Sequence, residues 1–369
     1  MRMPSMFFVA GIGIAVFIEF LLISKKNKSA SDLILTLWMF LIVIHQFVLY
    51  IFITGDVYDF PFLLGIEHPL PLLHGVFLYL YVSFLTNQVP EKRRVLLLHF
   101  VPAALMYLYL TTFFVLPADQ KMEVYRNHGA GYELFLVLKR YAITLSGILY
   151  VAWSALLLRK HRNNIRDQFS DLEKVNLQWL RILTYGLGGI WFLVVFFRSD
   201  VLILAGIVVF VFLMGFFGVR QVEIFRPAQL PAEESEQRKK YPKSGLTEEV
   251  STRLHQALIR LMTEGAPYRK SDLSINDLAS TLGVHPNYLS QVINQKEKKN
   301  FYDFVNTYRF EEFKRLIALQ KNQQYTLLSL AYDCGFSSKS SFNRYFKKAT
   351  GQTPSEYSTT FTGNPVNPA

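Results

Sequence analysis

Seven stretches of this chain, all before about Phe225, are apolar over the length of a membrane-crossing helix: residues 6–24, 33–54, 69–87, 95–116, 136–158, 182–198 and 200–219. Hydrocarbon offers the backbone no hydrogen-bond partners, so a spanning segment must satisfy its own N–H and C=O groups, which takes roughly 20 residues as a helix. The remainder has an ordinary soluble composition. The expected fold class is therefore all-α: about seven transmembrane helices, then a soluble all-helical domain. Residues 6–24 are longer than a typical signal-peptide core and lack a clear small-x-small cleavage site, so they read as the first span.

Loop charge sets the expected orientation. The loop after the first span carries Lys25, Lys26 and Lys28, and the loop after the third carries Lys92, Arg93 and Arg94. The loop after the fifth carries Arg159, Lys160, Arg162, Arg166, Lys174 and Arg181. Of the alternate loops, Gly55 to Glu67 has no lysine or arginine, and Ala118 to Tyr141 has four in a longer stretch. The N-terminus is thus expected outside, and an odd number of spans puts everything after Val219 in the cytoplasm. The expected location is a bacterial inner membrane, crossed several times. A net charge of +11 suits a phosphate-bearing partner, membrane lipid or nucleic acid, without choosing between them. The one cysteine, Cys334, excludes an intrachain disulfide.

The membrane half shows no His-Glu-x-x-His, no Cys-x-x-Cys, no phosphate-cradling glycine loop and no paired acids at catalytic spacing. No catalytic residue, metal or cofactor is expected, and the chain does not read as an enzyme. Glu19, His45, His74 and His99 fall inside spans, where ionisable groups are costly to bury. They serve either interhelical hydrogen bonding or the sensing of a ligand or proton.

Composition divides the chain into a membrane domain over 1–222, a polar linker over 223–245 with Pro227, Pro231 and Pro242, an amphipathic helix over 246–265, and a soluble domain over 266–369. The amphipathic helix either packs on the soluble domain or pairs with a second chain as a homodimer. Inside the soluble domain lies a repeat with an offset of 52 residues. Ile275, Leu278, Ala279 and Leu282 match Leu327, Leu330, Ala331 and Cys334, each set spaced as one buried helix face. Ser274 and Thr326 are N-cap residues, with Asp277 completing a capping box. Gly283 and Gly335 follow, where a helix stops and the chain turns. A second short helix follows in each copy, opened by His285 and Pro286 in the first and by Ser337 or Ser338 in the second. Residues 300–320 carry a helical apolar stripe that would join the two units. Helix, glycine turn, helix, present twice, is a pair of helix-turn-helix units joined by a long helix. The repeat also assigns Cys334 to the core position held by Leu282 in the first copy, a structural role rather than a redox or metal one.

In such a unit the second helix enters the major groove of double-stranded DNA and its outward side chains reach the base edges. Removing the apolar face leaves Asn287, Tyr288, Ser290, Gln291 and Asn294 in the first copy. The second leaves Lys339, Ser340, Ser341, Asn343, Arg344, Lys347 and Lys348. Gln291 and Arg344 are the leading base readers, since Gln can bond adenine and Arg guanine with two hydrogen bonds. Lys299, Lys347 and Lys348 are read as phosphate contacts.

The stretch from Leu273 to Tyr357 resembles the AraC/XylS family of bacterial regulators, through LSINDLASTLGVHPNYLSQVIN, NFYDFVNTYRFEEFKRLI and CGFSSKSSFNRYFKKATGQTPSEY. One departure is the turn at 296–300, KEKKN, with no glycine where many relatives carry one before Lys-Asn-Phe. The membrane half is similar to the multi-span sensor regions of some Bacteroidetes-type members. The resemblance implies transcription control, often activation, and contact with RNA polymerase. Three readings of the whole chain stay open: an unknown small-molecule or physical signal at the membrane modulates DNA binding, a transporter or channel carries a regulatory domain, or the spans only tether the DNA reader.

Overall fold

A helix that is apolar on every side has no reason to turn one face inward, and the N-terminal helices expose large side chains accordingly. In a computed structural model of the protein, which describes residues 3–172, 177–197, 199–220, 247–319 and 325–362, Phe17, Phe20, Phe40, Phe47, Leu145 and Phe212 all lie on the surface. The linker read over 223–245 lies outside the described residues. Among those residues the regular elements are helices, with no named strand.

The chain divides into two units. The first, Met1–Lys160 with Leu177–Pro227, contains α1 (Met3–Ser24), α2 (Ala30–Thr54), α3 (Leu70–Leu85), α4 (Val101–Tyr109), α5 (Thr111–Phe114), α6 (Ala118–Arg126), most of α7 (Glu133–Arg166), α8 (Gln178–Phe192) and α9 (Asp200–Arg220). α1 packs on α2 and α9, α2 on α3 and α9, and α8 on α9. Trp38, Met39, Leu78, Tyr81, Leu180 and Val211 are among the side chains buried between them. Two of the contacts require glycine. A Cβ on Gly11 would lie 2.4 Å from Val208 Cγ2, and one on Gly147 would lie 2.2 Å from Trp191 Cδ2.

Among the described residues, five helical segments are long and apolar enough to cross a membrane, against the seven expected: Met6–Ser24, Ala30–Thr54, Glu133–Arg166, Trp179–Phe197 and Asp200–Phe217. The third expected span is α3, with 16 residues, about 24 Å at the helix rise and short of the roughly 30 Å hydrocarbon core. The fourth, read as one helix over 95–116, is three pieces: a 3-10 stretch Arg93–Phe100, then α4, then α5. Pro102 sits in the first turn of α4, where its missing N–H costs nothing but the preceding helix cannot run through.

The second unit comprises His161–Asn176 and Ala228–Ala369. It contains α10 (Glu248–Arg260), α11 (Ile275–Thr281), α12 (Pro286–Val292), α13 (Phe301–Ile317), α14 (Leu327–Asp333), α15 (Lys339–Thr350) and α16 (Pro354–Thr362). Two apolar cores share α13. Phe301, Phe304 and Val305 join the first with α10, α11 and α12, while Tyr302, Phe310, Phe313 and Ile317 join the second with α14 and α15. Leu254, Leu258 and Met262 sit in the first core, so the amphipathic segment packs on the helix-turn-helix rather than standing free.

Segment 161–172 also belongs to this unit, which composition did not reveal. Phe169 pairs antiparallel with Ser274, Ser170 N donates to Leu273 O at 3.1 Å, and Ile275 N donates to Gln168 O at 2.9 Å. Leu172 packs against the second core.

Candidate nucleic-acid interface

Both turns form as their residues dictate. Ser274 caps α11 through Asp277 N in a reciprocal capping box, and Thr326 caps α14 through Ser329 N. Gly283 and Gly335 take φ of +65° and +94°, left-handed values glycine reaches at little cost. His285 Nδ1 accepts from Asn287 N with Pro286 in the first turn of α12. Of the two serines offered for the second unit, Ser338 caps α15. Gly351 ends that helix at φ +76°.

In the first helix-turn-helix Asn287, Ser290 and Gln291 are half-buried on α12 and Asn294 is exposed. Asn294 lies past the α-helix, in a wider π-turn spanning Ile293–Glu297, with its Nδ2 3.4 Å from Ser290 Oγ. Tyr288 packs partly on the first core, its ring edge-on to His285. In the second unit Lys339, Ser340, Asn343, Arg344, Lys347 and Lys348 are exposed on α15. Ser341 corrects the sequence reading: it is only 3% exposed. It stands one turn before Tyr345 and beside Phe342, so it shares their inward face. Lys348 is tied down as well as exposed, since its Nζ lies 2.8 Å from Asp303 Oδ1.

The departure at 296–300 finds its explanation in backbone geometry. Lys298 caps the π-turn at φ +56°, ψ +30°, the left-handed position a glycine would take with less strain. Asn300 then caps α13, its Oδ1 accepting from Asp303 N at 2.8 Å. Lys299 sits between them in an open cleft of about 420 Å³ with Arg166, Lys298, Asn163, Asn294 and Asn300. Arg166 and Lys298 add cations that the sequence reading did not place beside the DNA-facing set. Asp167 is the acidic member.

Arg309 ties the linker helix to the first helix-turn-helix and to the segment 161–172. It is 1% exposed at the centre of α13, and its guanidinium donates to Tyr268 O at 2.7 Å, Lys270 O at 2.8 Å and Ser170 Oγ at 3.0 Å. Burial pulls its pKa down to about 10, so it stays charged at neutral pH. Asn306, also buried, donates to Ser170 O at 3.1 Å. Asp303 receives Arg166 at 3.2 Å and Lys348 at 2.8 Å, so one carboxylate joins the 161–172 segment, α13 and α15. Lower on α13, Arg315 and then Arg269 hold Glu312 well down, at about 2. Cys334 is buried without exposure, and burial pushes its thiol up to about 12, as a core position requires.

In the first unit the structure brings together His45 and His74 but not all four candidate sensors. Trp38 Nε1 lies 3.2 Å from His74 Nδ1, and His74 Nε2 lies 2.7 Å from His45 Nδ1. An indole only donates, so the neutral His74 ring accepts at Nδ1 and donates from Nε2 to His45. His99 Nδ1 pairs elsewhere, with the Tyr150 hydroxyl at 2.8 Å. Glu19 is buried with Oε2 lacking a hydrogen-bond partner among the described residues.

Two helix-turn-helix units on one buried linker helix, with polar and cationic outward faces on α12 and α15, define the C-terminal part as an AraC-type DNA-binding domain of the kind found in transcription regulators. Residues 278–360 match the family described as helix-turn-helix domain. The chain is similar to an uncharacterized HTH-type transcriptional regulator of Staphylococcus aureus (strain COL), 35% identical over 86 residues, 23% of this chain and 11% of that protein. It is similar to the uncharacterized HTH-type transcriptional regulator YijO of Escherichia coli (strain K12), 32% identical over 87 residues, 24% of this chain and 30% of that one. The similarity thus spans less than a third of either relative. No solved structure matches the chain.

Proposed function

We propose that this chain is a membrane-anchored, sequence-specific transcription regulator in which a signal at the first unit modulates promoter binding by the second. The N-terminus lies outside and the DNA-binding half in the cytoplasm. The exposed apolar faces of the five long helices support anchoring, because such surface is stable in lipid and aggregates in water.

The observation that carries the signalling part is the segment 161–172. It follows directly in sequence from the apolar stretch of α7, yet Ser170 supplies partners to both Arg309 and Asn306 on the linker helix. A displacement of this segment breaks hydrogen bonds that fix the spacing of α12 and α15. Two major-groove readers must keep about 34 Å of separation to use one face of the duplex, so loosened spacing lowers affinity. A C-terminal piece starting at Leu246 lacks this segment, so a pure tether is distinguished on the full chain, where it predicts promoter binding that no signal at the first unit alters.

Genome-wide mapping of DNA bound by the full chain tests the reading. Arg344→Ala and Gln291→Ala are each expected to cost about 1–3 kcal/mol of base discrimination, relaxing the recovered motif at one position in each half. Lys347→Ala is expected to weaken all sequences alike and lower the salt slope by about one. An unchanged motif in both of the first two variants overturns the assignment of base readers, and absence of any specific site overturns the function.

A further inference from the structure

The two loops read as lying outside the membrane, 55–67 and 118–141, meet around a cavity of about 160 Å³ that none of the four candidate sensor residues touches. Its wall is aromatic: Phe113, Tyr125, Tyr132 and Phe135 line it, with Tyr132 edge-on to Phe113 at a centroid distance of 5.6 Å. One side is α6, which contributes Val124 and Tyr125 to the lining and carries Asp119, Glu123 and Arg126 on its exposed face.

Behind the aromatic wall is a polar network. Lys139 Nζ and Glu67 Oε1 both lie 3.2 Å from His68 Nδ1, and His68 Nε2 lies 3.3 Å from the Tyr125 hydroxyl. Tyr125 in turn donates to Glu67 Oε1 at 2.5 Å, and Glu67 Oε2 accepts from Gly65 N at 3.0 Å. Burial pushes Glu67 up to about 7 and His68 down to about 3, so His68 is neutral at physiological pH. The network fixes the Tyr125 ring parallel to His68, at 2° between planes, and so shapes the cavity. His128, an exposed lining residue with φ +55°, adds a polar side chain to the cavity.

We infer that this cavity is a ligand site for a small, uncharged, single-ring aromatic molecule bearing one hydrogen-bonding group. The ring would sit among the four aromatic side chains and its polar substituent against His128. The size agrees, since a cavity of about 150 Å³ lined by apolar side chains accommodates benzene. Edge-to-face contacts reward an aromatic ring over an aliphatic body of equal volume. A long acyl chain exceeds the space. The site names a class of ligand for the signalling reading and rests on it only for its biological use.

The test uses the full chain in lipid nanodiscs with 4-fluorophenol as probe, followed by ¹⁹F NMR, against empty nanodiscs for partitioning. Saturable line broadening, competed by phenol, is expected. Val124→Trp fills the cavity and is expected to weaken binding at least about tenfold, and His128→Ala by a few-fold. Because Val124→Trp could disturb the loop, Leu136→Phe serves as a second filling variant, and both are checked for an unchanged unfolding midpoint. Absence of saturable broadening in the native chain, or equal binding in both well-folded filled variants, overturns the site. Promoter occupancy is read separately. Binding with unmoved occupancy leaves the site standing and removes the signalling reading, whereas no binding removes the site whatever the occupancy does.

Discussion

Replacing Arg309 by methionine is expected to cost the second unit about 3–5 kcal/mol, because one buried and one part-buried carbonyl oxygen lose charged donors. The oxygens are Tyr268 O and Lys270 O, at 2.7 and 2.8 Å from the guanidinium, with Ser170 Oγ at 3.0 Å as a third partner. Methionine keeps most of the volume, so the loss isolates hydrogen bonding from packing. Arg309→Lys should recover little, since one ammonium cannot reach carbonyls that a planar fork reaches together. Native-state hydrogen exchange of the full chain, read on the amides of α13 and α11, measures the effect. A loss under about 1 kcal/mol would mean that the linker helix holds its register by apolar packing alone.

The second large effect falls at Gly335. Its Cβ, if present, would lie 2.3 Å from Tyr268 O and 2.8 Å from Arg269 Cα, with φ already at +94°. Gly335→Ala is expected to cost about 3–4 kcal/mol, part from the left-handed backbone and part from displaced main chain. Gly283 provides the matched comparison within the repeat, because at φ +65° it has nothing within 4 Å of its Cβ position. Gly283→Ala is expected to cost only about 1 kcal/mol. Equal losses at the two glycines, by the same exchange measurement, contradict the close approach. Tyr268 O is also the acceptor for Arg309 Nε, so Gly335→Ala and Arg309→Met should be less than additive.

What the sequence disclosed divides along physical lines. Caps and turns are local, and Ser274, Asp277, Gly283, Thr326 and Gly335 all act where their residue types and spacing placed them. The apolar stripes of α11, α13 and α14 were legible for the same reason. Ser341 was misread, although its place one turn before Tyr345 carried the signal. The break of the fourth span was written in Pro102, but mean apolarity across 95–116 hid it. Arg309, Ser170 and Asn306 gave no local sign. A buried arginine among aromatic residues is indistinguishable by spacing from a solvated one, and its partners lie as far as 139 residues away. The cavity behind the outer loops is likewise nonlocal, assembled from Gly65, His68 and residues beyond Leu110.

The isolation of Cys334 has an experimental consequence. Its sulfur is buried and its thiol is held at about 12, so water-soluble alkylating reagents meet no reactive thiolate on the native chain. Every cysteine introduced by substitution therefore reports on a silent background. Single cysteines in loops 55–67 and 25–29, labelled with a membrane-impermeant maleimide in intact cells, map the sidedness of the bundle one loop at a time, with the wild-type chain as its own blank.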